Sequence, residues 1–331
     1  MGTEQSKAPG NQADAPGHHR FARFFDQSMD GHGEGPRIPK LWAHILGGIV
    51  MFLCRVLFRF KVENRRIPDA FCGKRNGAVI VAPHVSYLDV AIMWLAVRPT
   101  QYVRLMARDT LFGVAHGILG FFIARVGAFP VTRNTADRTA VKRASRMLKN
   151  GELVGVFPEG TRRGKGNKTP EILGGAALVA RMGKAPIIPL GLVNLDKVKQ
   201  KGKHVSFPRI TAVFGEPVST DAFDFLPKDE RLQGCMWYML RESFALSRGC
   251  TPEEVDMVAL FPESKDYAEE FAGRTIRRVD VASLPEWKSG GCSSKVRNAG
   301  VASPAPDVDA ARVHSSDDQA RSNADRTQGG R

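Results

Sequence analysis

The chain has 331 residues, of which 43% are hydrophobic and 25% charged, and its formal net charge is +14. This composition is typical of a globular protein with a sizeable core and excludes a mainly disordered or fibrous chain. The positive charge favours an anionic partner, but we expect no nucleic acid, because both termini are nearly neutral and carry no basic arm.

Both ends of the sequence lack the apolar side chains that a core requires. Residues 289–331 contain no Leu, Ile, Met or aromatic residue, and residues 1–20 are rich in Gly, Ala, Pro, Asn and Gln. Such segments cannot bury enough apolar surface to offset the entropy lost on ordering. We therefore predict disordered segments at 1–36 and 289–331.

An uncharged run at residues 41–54 lies between Lys40 and Arg55, and Arg59 follows one helical turn after Arg55. A membrane-spanning helix needs about 20 apolar residues. A shorter run with two arginines on one face is typical of a helix lying in a membrane interface, with Trp42 near the headgroups. We predict such a helix within residues 37–62. The alternative is a helix buried against the domain, because length alone does not separate the two.

Short runs rich in β-branched residues recur through the middle of the chain, at 78–82, 102–107, 128–132, 153–157, 187–193 and 210–214. Helix-like segments separate several of them, and this alternation is typical of an α/β fold. We predict a single mixed central sheet flanked by helices, forming a domain at 63–250 with a C-terminal extension at 251–288.

One of these helix-like segments, residues 136–150, places apolar residues at helical spacing and surrounds them with cations, namely Arg138, Lys142, Arg143, Arg146 and Lys149. This pattern predicts a solvated helix that covers the sheet.

His84 and Asp89 follow the first strand-like run and are five positions apart. In a continuous helix, residues five apart lie about 140° from each other, so the pair can meet only if a turn intervenes. If Ser86 caps a helix that starts near Tyr87, Asp89 lies in the first helical turn and reaches the imidazole. The carboxylate would then fix the imidazole tautomer, and the second ring nitrogen would remove a proton from a bound hydroxyl. The alternative is a histidine that only satisfies a loop hydrogen bond.

A second polar group, the Glu-Gly-Thr-Arg sequence at 159–162, follows the run at 153–157 and precedes a loop rich in Gly, Arg and Lys at 163–168. Cations beside flexible glycines are typical of a phosphate-binding loop, and a solvated basic loop is the alternative. The run at 128–132 would deliver Arg133 to the same edge of the sheet.

Four segments, at 84–89, 127–133, 157–162 and 185–190, resemble in order and spacing the motif blocks of the glycerolipid acyltransferases. The resemblance is to the 1-acylglycerol-3-phosphate acyltransferase branch and covers about residues 40–220. It implies that His84 is the base that activates the acceptor hydroxyl and that Asp89 orients it. It also implies a set of substrate-binding residues, namely Arg133, Glu159, Gly160, Thr161, Arg162 and Pro189.

The activity that the resemblance implies is transfer of a fatty acyl chain from acyl carrier protein or coenzyme A to the free hydroxyl of 1-acylglycerol 3-phosphate, giving phosphatidic acid. We expect no metal and no cofactor beyond the acyl thioester substrate. Neither a Gly-x-Ser-x-Gly elbow nor a cysteine lies near the four blocks, so we expect direct transfer without an acyl-enzyme.

The sequence is also compatible with two other functions. One is acylation of glycerol 3-phosphate or another lysolipid, and the other is non-catalytic binding of anionic lipid. A nucleotide-binding enzyme lacks support, because neither Gly-x-Gly-x-x-Gly nor a Walker A sequence is present.

The five cysteines are scattered and include no Cys-x-x-Cys pair, so we predict reduced thiols in a protein that faces the cytosol. With the predicted interface helix, this favours a peripheral or monotopic protein on the cytoplasmic face of the cell membrane that contacts an anionic membrane surface. The lysine-rich loop at 197–204 would dock the acyl donor or the membrane, and a solvated loop is the alternative.

Overall fold

A seven-stranded sheet organises the part of the chain that the computed structural model describes, residues 18–30, 36–132, 137–159, 169–198 and 204–287. The strands are β1 (Lys61–Glu63), β2 (Val79–Val81), β3 (Val103–Arg108), β4 (Phe129–Val131), β5 (Leu153–Val156), β6 (Ile187–Val193) and β7 (Thr211–Phe214). The helices are α1 (His18–Phe25), α2 (Leu41–Phe58), α3 (Arg66–Asp69), α4 (Leu88–Ala96), α5 (Ile118–Arg125), α6 (Arg138–Lys149), α7 (Gly175–Gly183), α8 (Arg231–Arg248), α9 (Met257–Leu260) and α10 (Ala268–Phe271).

The strand order is β1-β7-β6-β2-β5-β3-β4, and β6 and β7 are antiparallel whereas the other neighbouring pairs are parallel. The predicted mixed sheet is therefore confirmed, and the six β-branched runs coincide with β2 to β7. β1 escaped prediction because it has only three residues, two of them charged and exposed. In the centre, Val79 on β2 pairs with Val154 on one side and Ile187 on the other, so the carboxyl ends of β2, β5 and β6 lie side by side.

The connections between strands place helices on both faces of the sheet. The chain moves from β2 through α4 to β3 and through α5 to β4 in one direction along the sheet, and it returns through α6 to β5 and through α7 to β6. Because crossovers between parallel strands are right-handed, α4 and α5 lie on one face and α6 and α7 on the other. α2 packs on α4 and α5, whereas α8 packs on α7 and β6. α2 and α6 therefore lie on opposite faces of the sheet.

The N-terminal segment contributes to the core from α1 onward, through Phe21, Phe24, Phe25 and Met29, all of them buried. The prediction of disorder up to residue 36 is therefore wrong for residues 21–30. The composition of residues 1–20 does not continue beyond them, because aromatic residues begin directly afterwards. The predicted tail at 289–331 lies outside the described residues.

An ion pair in the sheet holds this segment in place. Arg104 on β3 and Glu152 are both buried and lie 3.2 Å apart. Glu152 Oε1 also accepts the Met29 N–H at 2.6 Å, and the Arg104 guanidinium donates to the carbonyl of Gln27 at 2.7 Å. A buried charge is tolerated when its partners satisfy it. The backbone of the N-terminal segment supplies several of those partners, so the ion pair and the segment stabilise each other.

The extension at 251–287 packs on the same body through Phe261, Tyr267 and Phe271, which are buried. The ring of Phe271 stacks on that of Trp237 in α8 with 5.5 Å between centroids.

The prediction of reduced cysteines holds for Cys54, Cys235 and Cys250, which are free thiols. It is wrong for Cys72, which forms a disulfide.

α2 buries a narrow stripe, formed by Ala43, Gly47, Cys54 and Phe58, and exposes most of its apolar surface. The exposed side chains are Leu41, Trp42, Ile45, Ile49, Phe52, Leu53, Val56 and Leu57. By length and composition α2 is apolar enough to cross a membrane, and 22% of it is buried. The alternative of a helix buried against the domain is therefore not supported.

A close contact joins α2 to α4. The Arg98 guanidinium, just after α4, lies 4.7 Å from the ring of Trp94 and 4.8 Å from that of Tyr102, and it donates to the Ala43 carbonyl at 2.7 Å. Gly47 lies directly against this group, because a Cβ added there would stand 2.6 Å from Arg98 Nη1 and 2.8 Å from Trp94 Cη2. The guanidinium is held between two rings and cannot move aside easily.

Two adjacent glycines of α2 test this contact. Gly47→Ala should destabilise the protein by about 1–3 kcal/mol through overpacking. Gly48→Ala, where nothing lies within 4 Å of the added Cβ, should stabilise it by up to about 1 kcal/mol through helix propensity. Thermal unfolding of both variants in detergent measures the difference, and equal shifts would contradict the close contact.

Candidate active site

The candidate site lies at the carboxyl ends of β2 and β5, which are neighbours in the sheet. His84 follows β2 by three residues, and Glu159 follows β5 by three. The chain then turns from β2 into α4, which begins at Leu88. Two polar loops thus meet at one edge of the sheet, as the sequence predicted.

The turn between His84 and Asp89 is built around one carboxylate oxygen. Asp89 Oδ2 accepts a hydrogen bond from His84 Nδ1 at 2.9 Å and from the backbone N–H groups of Val85 at 2.6 Å and Ser86 at 2.7 Å. Ser86 Oγ accepts the Leu88 N–H at 3.2 Å, at the residue where the helix begins. The predicted turn is present and brings His84 and Asp89 together.

The environment of the imidazole sets its orientation. The Asp89 side chain is fully buried and that of His84 is 13% exposed, so the pair lies at the rim of the core. The His84 ring stacks on Phe157 with 4.5 Å between centroids and 28° between planes. Because Nδ1 donates its proton to a carboxylate, Nε2 on the far side of the ring carries the lone pair and is able to accept a proton.

Glu159 contacts the backbone of the histidine loop. Its side chain is buried, and Oε1 accepts the His84 N–H at 3.2 Å. This bond joins the loops after β2 and β5. Glu159 thus holds the backbone of His84, whereas Asp89 holds its side chain. Apart from the position of both residues after strands, no sequence pattern indicates this contact, because the two residues are 75 positions apart. The role in substrate binding that the resemblance implies for Glu159 stays a prediction.

Pro189 lies inside the sheet, on β6, where it pairs with Val81 of β2. It is buried, and its carbonyl accepts the Gly215 N–H at 2.9 Å. The position is adjacent to the strand that delivers His84. Its role in substrate binding stays a prediction.

Comparison with known proteins gives a consistent result. The Acyltransferase family model matches residues 59–193. A 1-acyl-sn-glycerol-3-phosphate acyltransferase of Bacillus subtilis is 33% identical over 160 residues, which are 47% of this chain and 74% of that protein. The chain belongs to the glycerolipid acyltransferase family.

A further relative carries the same description. A 1-acyl-sn-glycerol-3-phosphate acyltransferase of Streptococcus pneumoniae is 29% identical over 187 residues, which are 56% of this chain and 64% of that protein. A crystal structure of the 1-acyl-sn-glycerophosphate acyltransferase PlsC from Thermotoga maritima aligns with 66% of this chain and 82% of its own at 22% identity, with a TM-score of 0.44.

Several predicted site residues of the acyltransferase fall outside the described residues, namely Arg133, Gly160, Thr161 and Arg162. The basic loop at 163–168 and most of the lysine-rich loop at 197–204 also lie outside them. Within the described ranges, no group of three His, Cys, Asp or Glu residues could hold a metal ion. Sequence reasoning missed Phe157 as a neighbour of the imidazole, although its place directly after β5 puts it at the same sheet edge.

The bonds around Asp89 lead to a stability prediction. Asp89→Ala removes the acceptor of three donors and should destabilise the fold by about 2–4 kcal/mol, because buried unsatisfied N–H groups cost about 1–3 kcal/mol each. Asp89→Asn should cost clearly less, since one amide oxygen in the place of Oδ2 accepts the same three bonds. Urea unfolding of both variants tests this difference, and similar losses would show that the loop does not depend on that oxygen.

Proposed function

We propose that this acyltransferase moves a fatty acyl group from an acyl thioester, carried by acyl carrier protein or coenzyme A, to the free hydroxyl of 1-acylglycerol 3-phosphate, giving phosphatidic acid. The observation that supports this proposal most directly is the bond of 2.9 Å between His84 Nδ1 and the buried Asp89 carboxylate at the edge of the sheet. The relatives that share this sequence region are described as enzymes of that activity.

In the proposed reaction His84 is the general base. Nε2 takes the proton of the acceptor hydroxyl as the hydroxyl oxygen attacks the thioester carbonyl carbon. The carbon–sulfur bond then breaks, and the leaving thiolate takes the proton from the imidazolium and departs as a thiol. The Asp89 carboxylate stabilises the imidazolium between these two steps. Because the acceptor attacks directly, no acyl-enzyme forms.

The acceptor carries a phosphate, and we assign its recognition to Arg133 and Arg162 with Gly160 and Thr161. Guanidinium groups bind phosphate oxygens through paired hydrogen bonds, which suits the fixed geometry that attack requires. Glu159 would contribute by positioning, because its carboxylate bonds to the backbone of the residue that acts as base.

Substitutions at the pair test the mechanism. His84→Ala should lower kcat with 1-acylglycerol 3-phosphate by about 10³-fold or more, since general-base catalysis typically contributes 10²–10⁴-fold. Asp89→Asn should lower kcat by about 10²-fold, because it keeps the geometry but removes the charge that stabilises the imidazolium. Initial rates of phosphatidic acid formation measure both.

An acceptor panel separates the alternatives in the same assay. Product formation from glycerol 3-phosphate or another lysolipid in preference to 1-acylglycerol 3-phosphate would contradict the proposed acceptor. Undiminished turnover by folded His84→Ala would contradict the mechanism, and lipid binding without turnover by the unsubstituted chain would favour a non-catalytic protein.

We place the enzyme at the membrane surface through α2. The helix packs on the domain along its length, from Ala43 to Phe58, and its other side exposes a row of large apolar residues. A helix held against the domain in this way fits a position in the interface plane better than one surrounded by lipid. Since α2 packs on α4, which carries Asp89, this arrangement would place the lipid on the same face of the sheet as α4. The cytoplasmic face is the side from which acyl donors would approach.

Charged substitutions on α2 test the membrane contact. Ile49→Glu and Phe52→Glu should each lower binding to anionic vesicles by about tenfold or more, because burying such side chains contributes about 1.5–3 kcal/mol. Val258→Glu, a similarly exposed site on α9, is the matched control and should leave binding unchanged. Vesicle flotation gives the bound fraction, and unchanged flotation of both α2 variants would rule out this contact.

A further inference from the structure

Helix α6 presents a row of four exposed cations, Arg138, Lys142, Arg146 and Lys149. At 100° and 1.5 Å per residue, they fall within an arc of about 80° and extend over about 16 Å of the helix. We call this surface the α6 stripe. Its opposite side packs into the protein through five buried residues, namely Ala140, Ala144, Ser145, Met147 and Leu148.

The charge of the α6 stripe is largely uncompensated. Asp26 bonds to Arg143 at 2.9 Å and to Arg146 at 2.8 Å, but the Arg146 side chain remains 67% exposed. Arg138, Lys142 and Lys149 have no ion pair within the described part of the chain. The helix is capped by Asp137, which accepts the Ala140 N–H at 2.9 Å, and its apolar side provides its packing. The exposed cations are therefore not needed to fold α6.

The position of the stripe relates it to the site and separates it from the proposed membrane surface. α6 begins after β4, whose carboxyl end lies at the same sheet edge as those of β2 and β5. Asp137 also accepts the Thr132 N–H at 2.9 Å, which fixes the start of α6 at that edge. Because α6 and α2 lie on opposite faces of the sheet, a lipid surface held by α2 leaves the α6 stripe facing water.

We infer that the α6 stripe is the docking surface for an acidic acyl carrier protein, which delivers the acyl thioester to the site. This inference rests on the proposed acyl transfer. It adds that the acyl group arrives on acyl carrier protein rather than on coenzyme A. Four cations spread along an exposed helix match an extended acidic protein surface, whereas the phosphates of coenzyme A would call for a compact site. Complementary charges at such a surface act mainly by raising the association rate.

Charge reversal tests the docking surface. The double substitution Arg138→Glu/Lys142→Glu should lower kcat/KM with acyl carrier protein thioesters by about tenfold or more, since electrostatic steering raises association rates 10–10³-fold. With acyl-coenzyme A of the same chain length, kcat/KM should change less than about twofold. This second rate also shows that the variant is folded and active. The salt dependence of the carrier-protein rate should become weaker in the variant.

Lys228→Glu/Arg277→Glu is the matched control. It makes the same change in net charge at two exposed positions outside α6 and should leave both rates unchanged. An equal loss in the control would overturn the inference, because the effect would then come from net charge alone. An equal loss with both donors, or no loss with the carrier protein, would also overturn it.

Three further outcomes are distinguishable. Weaker flotation of the α6 variant with anionic vesicles, at an unchanged carrier-protein rate, would make the stripe a membrane contact and overturn the inference. Turnover by the unsubstituted chain with acyl-coenzyme A alone would overturn the inference and leave the proposed function intact. If neither donor supports turnover, the proposed function itself is rejected.

Discussion

The candidate site depends on one buried oxygen, Asp89 Oδ2, which receives a bond from the imidazole and two from backbone N–H groups. A carboxylate in the core is unfavourable unless donors replace its water. Here the replacement is local, because His84, Val85 and Ser86 precede it in the same turn, and its place in the first turn of α4 adds the favourable end of the helix dipole. The same bonds that allow the charge to be buried also orient the imidazole, so the fold of the turn and its chemistry cannot be separated.

α4 links this turn to the surface of the protein. Its first turn contains Asp89. At its other end, the side chains of Trp94 and Arg98 pack closely against Gly47 of α2. The exposed apolar side of α2 therefore has a fixed orientation relative to the imidazole. α6, on the other face of the sheet, starts at the same edge as the site and carries the exposed cations. The sheet thus separates a surface suited to lipid from a surface suited to an acidic protein, and the second of these starts at the edge where His84 lies.

Sequence patterns predicted those features that depend on contacts between residues close together in the chain. The β-branched runs gave β2 to β7, and the spacing from His84 to Asp89 predicted their contact, because a single turn joins them. The contact of Glu159 with the His84 backbone and the ion pair of Arg104 with Glu152 depend on how distant segments meet, and no periodicity encodes that. The N-terminal boundary was wrong for a related reason. A short segment with several aromatic residues has no core of its own, and it becomes ordered only through a sheet that forms far along the sequence.

The two proposed surfaces act over different distances, which suits the exchange of substrates. Apolar side chains on α2 stabilise association only after contact has removed water, so they favour long residence at a lipid surface. Exposed cations on α6 act across roughly 8–10 Å at physiological ionic strength and mainly speed encounter, so they favour rapid arrival and departure of a soluble partner. An enzyme that remains with its lipid acceptor while it takes a fresh acyl thioester at each turnover needs this combination. Under these two proposals, the large positive charge of the folded region and the apolar exposed helix serve different substrates, rather than a single membrane contact.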